Sequence, residues 1–259
     1  MRSVIGAART FDRAAQLYER ARAGYPSGVY DDLTAIGALT PGTRVLEVGP
    51  GTGQATRDLV ARGARVTAIE LGPELAAVLS SHPWASSVDV HVGKFEDFAP
   101  EQTFDAVMAF TCWHWLAAPL RTARAAALLR PGGSLVTVST THVLGGTAAF
   151  FEDVQDCYDR WDTDPRRDPL PAPEDVEPVD DEVAESPYFS VVGRRVHLQE
   201  LSYTAASYCD VLRTYSGHIA LPAARRDGLL ACVRALIDGR YDGRVTKAYL
   251  HEVRVARRL

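Results

Sequence analysis

The chain has 259 residues, 46% of them hydrophobic and 24% charged, the proportions of an ordinary soluble globular protein with one buried core and a small addition. Its net charge of −5 lacks the basic bias of nucleic-acid enzymes, which disfavours RNA or DNA as a partner. No apolar run approaches the roughly 20 residues of a membrane span and no charged-then-apolar leader opens the chain, so no membrane contact and a cytoplasmic protein are expected. The four cysteines, Cys112, Cys157, Cys209 and Cys232, are widely spaced without a C-x-x-C pair. Reduced thiols are expected, with neither a zinc site nor a disulfide framework.

In chain order, residues 11–23 are helix-compatible until Gly24 and Pro26 stop them, and a second helix is expected over 27–39. Thr40-Pro41-Gly42 turns into an apolar strand, residues 45–48. Gly49, Gly51 and Gly53 follow as a tight turn, then a helix over 54–62 with Gly63 at its cap. Glycine belongs there because the backbone turns sharply and a ligand must approach without a Cβ in the way. A second strand, 64–70, ends on Glu70 about 20 residues beyond the turn, where a carboxylate can accept two hydrogen bonds from a ribose diol.

The pattern Glu47-x-Gly49-x-Gly51-x-Gly53 differs from the dinucleotide fingerprint G-x-G-x-x-G, whose third glycine position holds Gln54. It resembles motif I of the class I S-adenosylmethionine-dependent methyltransferases. The resemblance implies a doubly wound, Rossmann-like α/β fold with a seven-stranded sheet, an antiparallel C-terminal strand and a helical cap. It also implies S-adenosylmethionine as cofactor and a small-molecule substrate. On this reading Glu47, Gly49, Gly51, Gly53, Gln54, Glu70 and Leu71 form the cofactor cradle.

Further stretches carry the resemblance in register. Tyr18-x-x-x-Arg22 with Tyr25-Pro26 resembles the N-terminal helices that fold over the cofactor in this family. It suggests Tyr18 and Tyr25 near the sulfonium, which an aromatic face attracts; anchoring the helix on the core is the alternative. After a helix over 73–81 and a strand over 88–92, Lys94 stands where the family usually has an acid. Phe95 is the candidate for packing on adenine, with Glu96 or Asp97 for its amino group. The fourth strand, 104–110, delivers Thr111 and Trp113-His114-Trp115 to the carboxyl edge of the sheet, where ligands bind in open α/β sheets. No Asp/Asn-Pro-Pro-Tyr follows, which argues against an amide or base nitrogen target. A helix over 120–129, the turn Arg130-Pro131-Gly132-Gly133 and a strand over 134–140 complete the match, and His142 ends that strand on the same edge.

Beyond it, a helix is expected over 147–160 and an acidic, proline-rich insertion over 162–185. Alternation over 188–203 includes a strand, expected over 196–201; a helix over 204–215 capped by Thr204 or Ser202, an amphipathic helix over 225–237 and a final strand over 245–256 close the chain. The expected organisation is N-terminal helices (1–40), a cofactor-binding core (41–146), a cap (147–241) and a last strand (242–259). Oligomeric state is not legible.

The donor methyl is already activated, so alignment and removal of one proton are the work left to the protein. His114 is the first candidate base and His142 the second, because imidazole titrates near neutrality; shaping the wall or positioning substrate is the alternative for each. Tyr215 and His218 are candidates to line the pocket from the cap. No cluster has metal-ligand spacing. Cyclisation or lysis of the cofactor, a non-catalytic cofactor-binding protein and a nicotinamide dehydrogenase are the rival readings.

Overall fold

The structure is a computed structural model and describes residues 12, 14–162, 169–178 and 182–259. Phe11 and Arg13 of the first expected helix and residues 163–168 and 179–181 of the acidic insertion lie outside the described residues. Two helices, α1 (Ala15–Ala21) and α2 (Ser27–Ala35), precede β1 (Arg44–Val48). The core then alternates α3 (Thr56–Ala61), β2 (Arg65–Glu70), α4 (Pro73–Ser81), β3 (Asp89–Val92), β4 (Phe104–Phe110), α5 (Ala118–Leu128) and β5 (Leu129–Val143).

The sheet has seven strands in the order β3-β2-β1-β4-β5-β7-β6, with β6 (Phe189–Thr204) and β7 (Arg244–Arg258) at the far side. β1 to β5 pair in parallel, and β7 runs antiparallel between β5 and β6. Strand order reverses between β1 and β4, so the loops leaving these two strands diverge and open a crevice at the carboxyl edge. Both faces of the sheet are covered, as parallel strands require. Val45, Met108 and Val136 pack with Tyr30 and Leu33 of α2 on one face. Leu46, Val107 and Leu135 pack with Ala125 and Leu128 of α5 on the other.

Local chemistry explains several boundaries. Gly63, at φ +80°, ends α3 in the left-handed region that glycine adopts without cost. Asp12 accepts hydrogen bonds from the backbone N–H of Glu74 (2.7 Å) and Leu75 (3.0 Å), which ties the N-terminal segment to the first turn of α4. The expected turn at 130–133 is an excursion within β5: Leu129 pairs with Phe104 and Ser134 already with Ala106.

The cap is a separate apolar cluster. It contains α6 (Ala148–Asp153), α7 (Gln155–Trp161), α8 (Ala205–Arg213) and α10 (Ala223–Arg240), with the short α9 (Ser216–Ala220) between the last two. Phe150, Tyr208, Leu212, Leu229, Val233 and Ile237 form its centre, closed against Val245 and Tyr249 of β7. The single helix expected over 147–160 is two, broken at Val154, and α8 starts on a capping box between Thr204 and Ser207.

One expectation is corrected here. Cys157 and Cys232 form a disulfide between α7 and α10, while Cys112 and Cys209 are free. Sequence spacing could not show it, because packing of two helices brings together residues 75 positions apart. Closing so long a loop stabilises the fold by about 2–4 kcal/mol. Cys232→Ser therefore lowers the unfolding free energy by about that amount in equilibrium denaturation. Unreduced wild type titrates two thiols in denaturant; four would refute the bond.

Candidate active site

A cavity of about 1520 Å³ opens over the carboxyl edge of the sheet and reaches under the cap. Pockets for one drug-sized ligand run to about 1,000 Å³, so this volume suits two molecules side by side. A smaller pocket of about 90 Å³ lies behind it and shares Tyr18, Arg22, Gly49 and Thr111 with it.

The floor is the turn after β1. Gly49, Gly51 and Gly53 have φ of +61°, +62° and +104°. A Cβ on Gly49 would stand 2.9 Å from the Cβ of Cys112, so a side chain there meets the start of the β4 loop. The Cys112 thiol donates to the carbonyl of Val48 (2.7 Å) and burial holds its pKa up, which keeps it a neutral wall group.

Glu70 closes β2 beside this floor. Its Oε2 accepts from Gly51 N–H and its Oε1 from Gly72 N–H, both at 2.9 Å. Burial raises the carboxyl's pKa, a rise that these two N–H groups and that of Leu71 oppose, and the carboxyl lines the cavity with lone-pair capacity to spare. Leu71, Phe95 and Glu96 line the same end, with Phe95 buried. Glu96 accepts from Ala117 N–H (3.0 Å), which ties the loop after β3 to the turn carrying His114.

Glu47 faces the smaller pocket, buried to 1% exposure. Both of its carboxyl oxygens are buried without a hydrogen-bond partner among the described residues. Burial pushes its pKa up to about 8, opposed by the Thr56 hydroxyl, which approaches the carboxyl without reaching hydrogen-bond geometry, and reinforced by Glu70. A buried carboxyl without a partner is costly, and a cationic ligand group is the complement it lacks.

Tyr25 lies behind the main cavity rather than on it, at one end of a polar relay. Its hydroxyl bonds Thr111 (2.8 Å), Thr111 bonds Thr140 (2.9 Å) and Thr140 bonds His251 Nδ1 (3.0 Å). His251 Nε2 bonds Gln199 Oε1 (2.9 Å), and the Gln199 amide donates to the carbonyl of Gly24. One direction satisfies every member: Gln199 Oε1 accepts from Nε2–H, so Nδ1 accepts from Thr140 and the hydroxyls donate in series from Tyr25. Burial lowers the His251 pKa to about 4, consistent with the neutral ring this requires. The relay fixes Thr111, held at φ +52°, at the lip of β4.

Of the remaining expected residues, Tyr18, His114 and His142 line the main cavity. Gln54 borders the smaller pocket and its amide donates to Glu19 and Thr52. Gly53 borders neither; a Cβ there would meet the Trp84 ring at 2.7 Å, so its part is packing of the turn. His114 stands beside Trp115 with ring centroids 4.8 Å apart, and burial with Arg121 lowers its pKa. His142 contacts the rings of Tyr215 and Tyr249, each at 5.3 Å. Burial, then Lys247, Arg22 and His218, lower its pKa to about 3. It is neutral at physiological pH and a weak base. Among the described residues no group of three or more metal-ligating side chains is gathered.

Sequence reading missed Arg22 and Lys247. Arg22 lies over the Tyr215 ring at 4.4 Å and donates to the hydroxyl (2.8 Å) and carbonyl (3.1 Å) of Thr214. Among the described residues no carboxylate pairs with it. The signal was present in the Tyr18-x-x-x-Arg22 stretch, but only the fold shows the guanidinium at the cavity.

Comparison with known proteins agrees with this geometry. A family model described as a methyltransferase domain matches residues 46–137. The ubiquinone biosynthesis O-methyltransferase of Xanthomonas campestris is 44% identical over 109 residues, 40% of this chain and 46% of that protein. The chain thus spans about half the length of those relatives. An uncharacterized methyltransferase of Mycobacterium tuberculosis is 30% identical over 231 residues, 88% of this chain and 85% of the relative. The chain belongs to the class I S-adenosylmethionine-dependent methyltransferases. A solved structure of a candidate type II methyltransferase from Anaeromyxobacter dehalogenans superimposes with a TM-score of 0.62 at 19% identity, over 91% of this chain and 97% of that one. The [4+2]-cyclase SpnF does so with 0.56 at 15% identity, over 99% and 97%. These two likenesses show the methyltransferase fold alone.

The residues present fit the family's cofactor. The orphaned Glu47 carboxyl suits an ammonium, the Arg22 guanidinium a carboxylate, and the free lone pairs of Glu70 a ribose diol. Gly49 and Gly51 line the cavity themselves, and their left-handed backbone makes the tight turn on which a ligand would lie.

Proposed function

We propose that this chain transfers the sulfonium methyl group of S-adenosylmethionine to a small-molecule acceptor. The observation that carries the reading is the continuity of one cavity, from the glycine turn and Glu70 to an aromatic chamber under the cap. When bound, the cofactor supplies a methyl group whose bond to sulfur breaks as the bond to the acceptor forms, leaving S-adenosylhomocysteine. The protein holds both ends in line and excludes water, and orientation of that kind supplies several kcal/mol of the barrier.

Glu47 and Arg22 clamp the amino-acid part, Glu70 the ribose, and Leu71, Phe95 and Glu96 the adenine, with Tyr18 and Thr111 facing the sulfonium. Residues 147–241, less the strand β6, serve as a lid that selects the acceptor. His142, at the mouth of the aromatic chamber, orients the acceptor and receives its proton only transiently, because its pKa is low. His114, held on the turn tied to Glu96, closes the nucleoside side of the crevice. An oxygen acceptor is the form we favour, supported by the O-methyltransferases among the relatives. The cytoplasm is the proposed compartment on composition; the Cys157–Cys232 bond pulls the other way, because thiols are kept reduced there. Thiol counting on protein quenched directly in cells decides between them.

Incubation with methyl-labelled cofactor and a fractionated small-molecule extract yields one labelled product per S-adenosylhomocysteine formed. Release of methylthioadenosine, or of homocysteine product without a labelled acceptor, overturns the proposal.

A further inference from the structure

Of the chain's 28 lysines and arginines only two are lysine, Lys94 and Lys247, and both line the cavity. Lys94 stands at the nucleoside end. Lys247 is at the other end, under the cap. Alternation along β7 puts it on the face of Val245 and Tyr249, which otherwise closes the apolar core of the cap. It is 5% exposed, a degree of burial at which lysine ordinarily has an acidic partner. Here its ammonium faces the rings of Phe151 (5.4 Å), Tyr249 (5.6 Å) and Tyr215 (5.7 Å), and among the described residues it has no carboxylate in ion-pair range and no hydrogen bond. Three aromatic faces hold the cation in place without neutralising it.

The charged and titratable groups around it reinforce the deficit. Arg22 follows the last residue of α1, His142 is on β5 and His218 on α9; all three act against further positive charge on one another or on Lys247. Tyr215 and Tyr249 are phenols that burial holds neutral. Among the described residues Glu152 of α6 is the acid that lines this side of the cavity, and it is exposed at the rim. Glu70, Glu96 and Asp97 lie at the nucleoside end. The described residues therefore make the chamber aromatic and apolar with a cationic head.

Arg22 and Lys247 divide the work. Arg22 borders the smaller pocket together with Glu47 and Gly49, where the amino-acid part of the cofactor belongs; Lys247 borders only the main cavity. Resting on the function proposed above, we infer that Lys247 is the specificity residue for the acceptor, which it selects for an anionic oxygen group, a carboxylate or an equally acidic oxygen, on a flat apolar body. A neutral amide or an amine of the same shape would leave the buried ammonium without a partner or add a second cation, and the site discriminates against both. Lysine rather than arginine suits a single oxygen at close quarters, because its charge is compact.

The test uses protein saturated with S-adenosylhomocysteine, which occupies Arg22, and benzoate as the probe. Benzoate raises the melting temperature and gives a measurable Kd by calorimetry, whereas benzamide and benzylamine bind at least tenfold more weakly. Lys247→Met weakens benzoate by about 30–100-fold, the cost of removing one partner of a buried charge pair, and leaves S-adenosylhomocysteine affinity within twofold. Lys247→Arg keeps the charge and retains benzoate within about tenfold. Burial and then Arg22 lower the Lys247 pKa to about 8. The bound anion holds the proton on, so benzoate affinity of wild type falls as pH rises through 8, where benzoate itself does not titrate. That pH slope is absent in Lys247→Met, a change a packing role would not produce. Benzoate that fails to bind wild type, binds Lys247→Met equally, or is matched by benzamide overturns the inference. So does a Lys247→Met protein that loses S-adenosylhomocysteine instead. Loss of S-adenosylhomocysteine binding by wild type would refute the functional proposal itself, and is read in the same calorimeter before any probe is added.

Discussion

Glu47→Gln weakens S-adenosylhomocysteine binding about 100-fold and at the same time raises the melting temperature of the ligand-free protein. The two effects share one cause. The Glu47 carboxyl is buried with neither oxygen hydrogen-bonded among the described residues, and its pKa of about 8 lies well above the ordinary 4.5. A group whose folded pKa is raised contributes stability that is full below 4.5 and is lost as pH rises through 8. The melting temperature of wild type therefore falls across that window relative to the glutamine variant, which has no charge to bury. At pH 7 the difference is about 1 kcal/mol once the unpaired amide of the variant is allowed for, or roughly 2–4 °C.

Binding reverses the sign. A ligand ammonium at Glu47 requires the ionised carboxylate, so association releases about one proton at pH 7 and affinity declines as pH is lowered from 8. The charge-assisted bond is lost in the variant, at a cost of about 2–3 kcal/mol. Calorimetry in two buffers of different ionisation heat measures the proton directly. Equal proton release by wild type and variant would show that the carboxyl does not meet the ligand.

Gly146→Ala lowers stability by about 3–4 kcal/mol, a fall of roughly 10 °C in melting temperature. Gly146 has φ +58°, in the left-handed region, where a Cβ alone costs about 1–2 kcal/mol. That Cβ would stand 2.4 Å from the carbonyl oxygen of Thr246 and 2.8 Å from its carbonyl carbon. The obstacle is backbone and no rotamer relieves it. The same backbone is stitched on both sides: Thr147 N–H donates to Thr246 O (2.9 Å), Thr246 N–H to the Thr147 hydroxyl (3.0 Å), and Gly146 N–H to Glu200 (2.9 Å). Relief must therefore displace the start of β7, one residue from Lys247. Gly239→Ala is the control: nothing lies within 4 Å of the added carbon and the residue is in α10, so stability is unchanged or rises by up to about 1 kcal/mol. Equal behaviour of the two variants in thermal melts would refute the clash.

The readable part of this protein is its local part. Strand, glycine turn and helix between 45 and 62 carry their signals within a few residues, because a sharp turn needs glycine whatever surrounds it. Strands β1 and β4 at the centre are short buried apolar runs, since both faces of a parallel sheet are covered there, and Glu70 follows the turn at the spacing one crossover imposes. Strand β6 escaped that logic. It runs from Phe189 to Thr204, nearly the whole alternating stretch 188–203 rather than its expected part 196–201, because an edge strand with Val192, Val196 and Leu198 exposed is held by pairing with β7 along its full length. The Cys157–Cys232 bond, the relay from Tyr25 through Thr140 to His251, and the meeting of Arg22 with Tyr215 each join segments remote in the chain.

The amino-acid sequence by itself determined the α/β core, the glycine floor and the acids that flank it. Which cations stand in the chamber, which carboxyl is left without a partner and where the cap closes were decided only in three dimensions. The physical reason is that burial and charge compensation depend on every element packed around a group, whereas a turn or a strand depends on its own few residues.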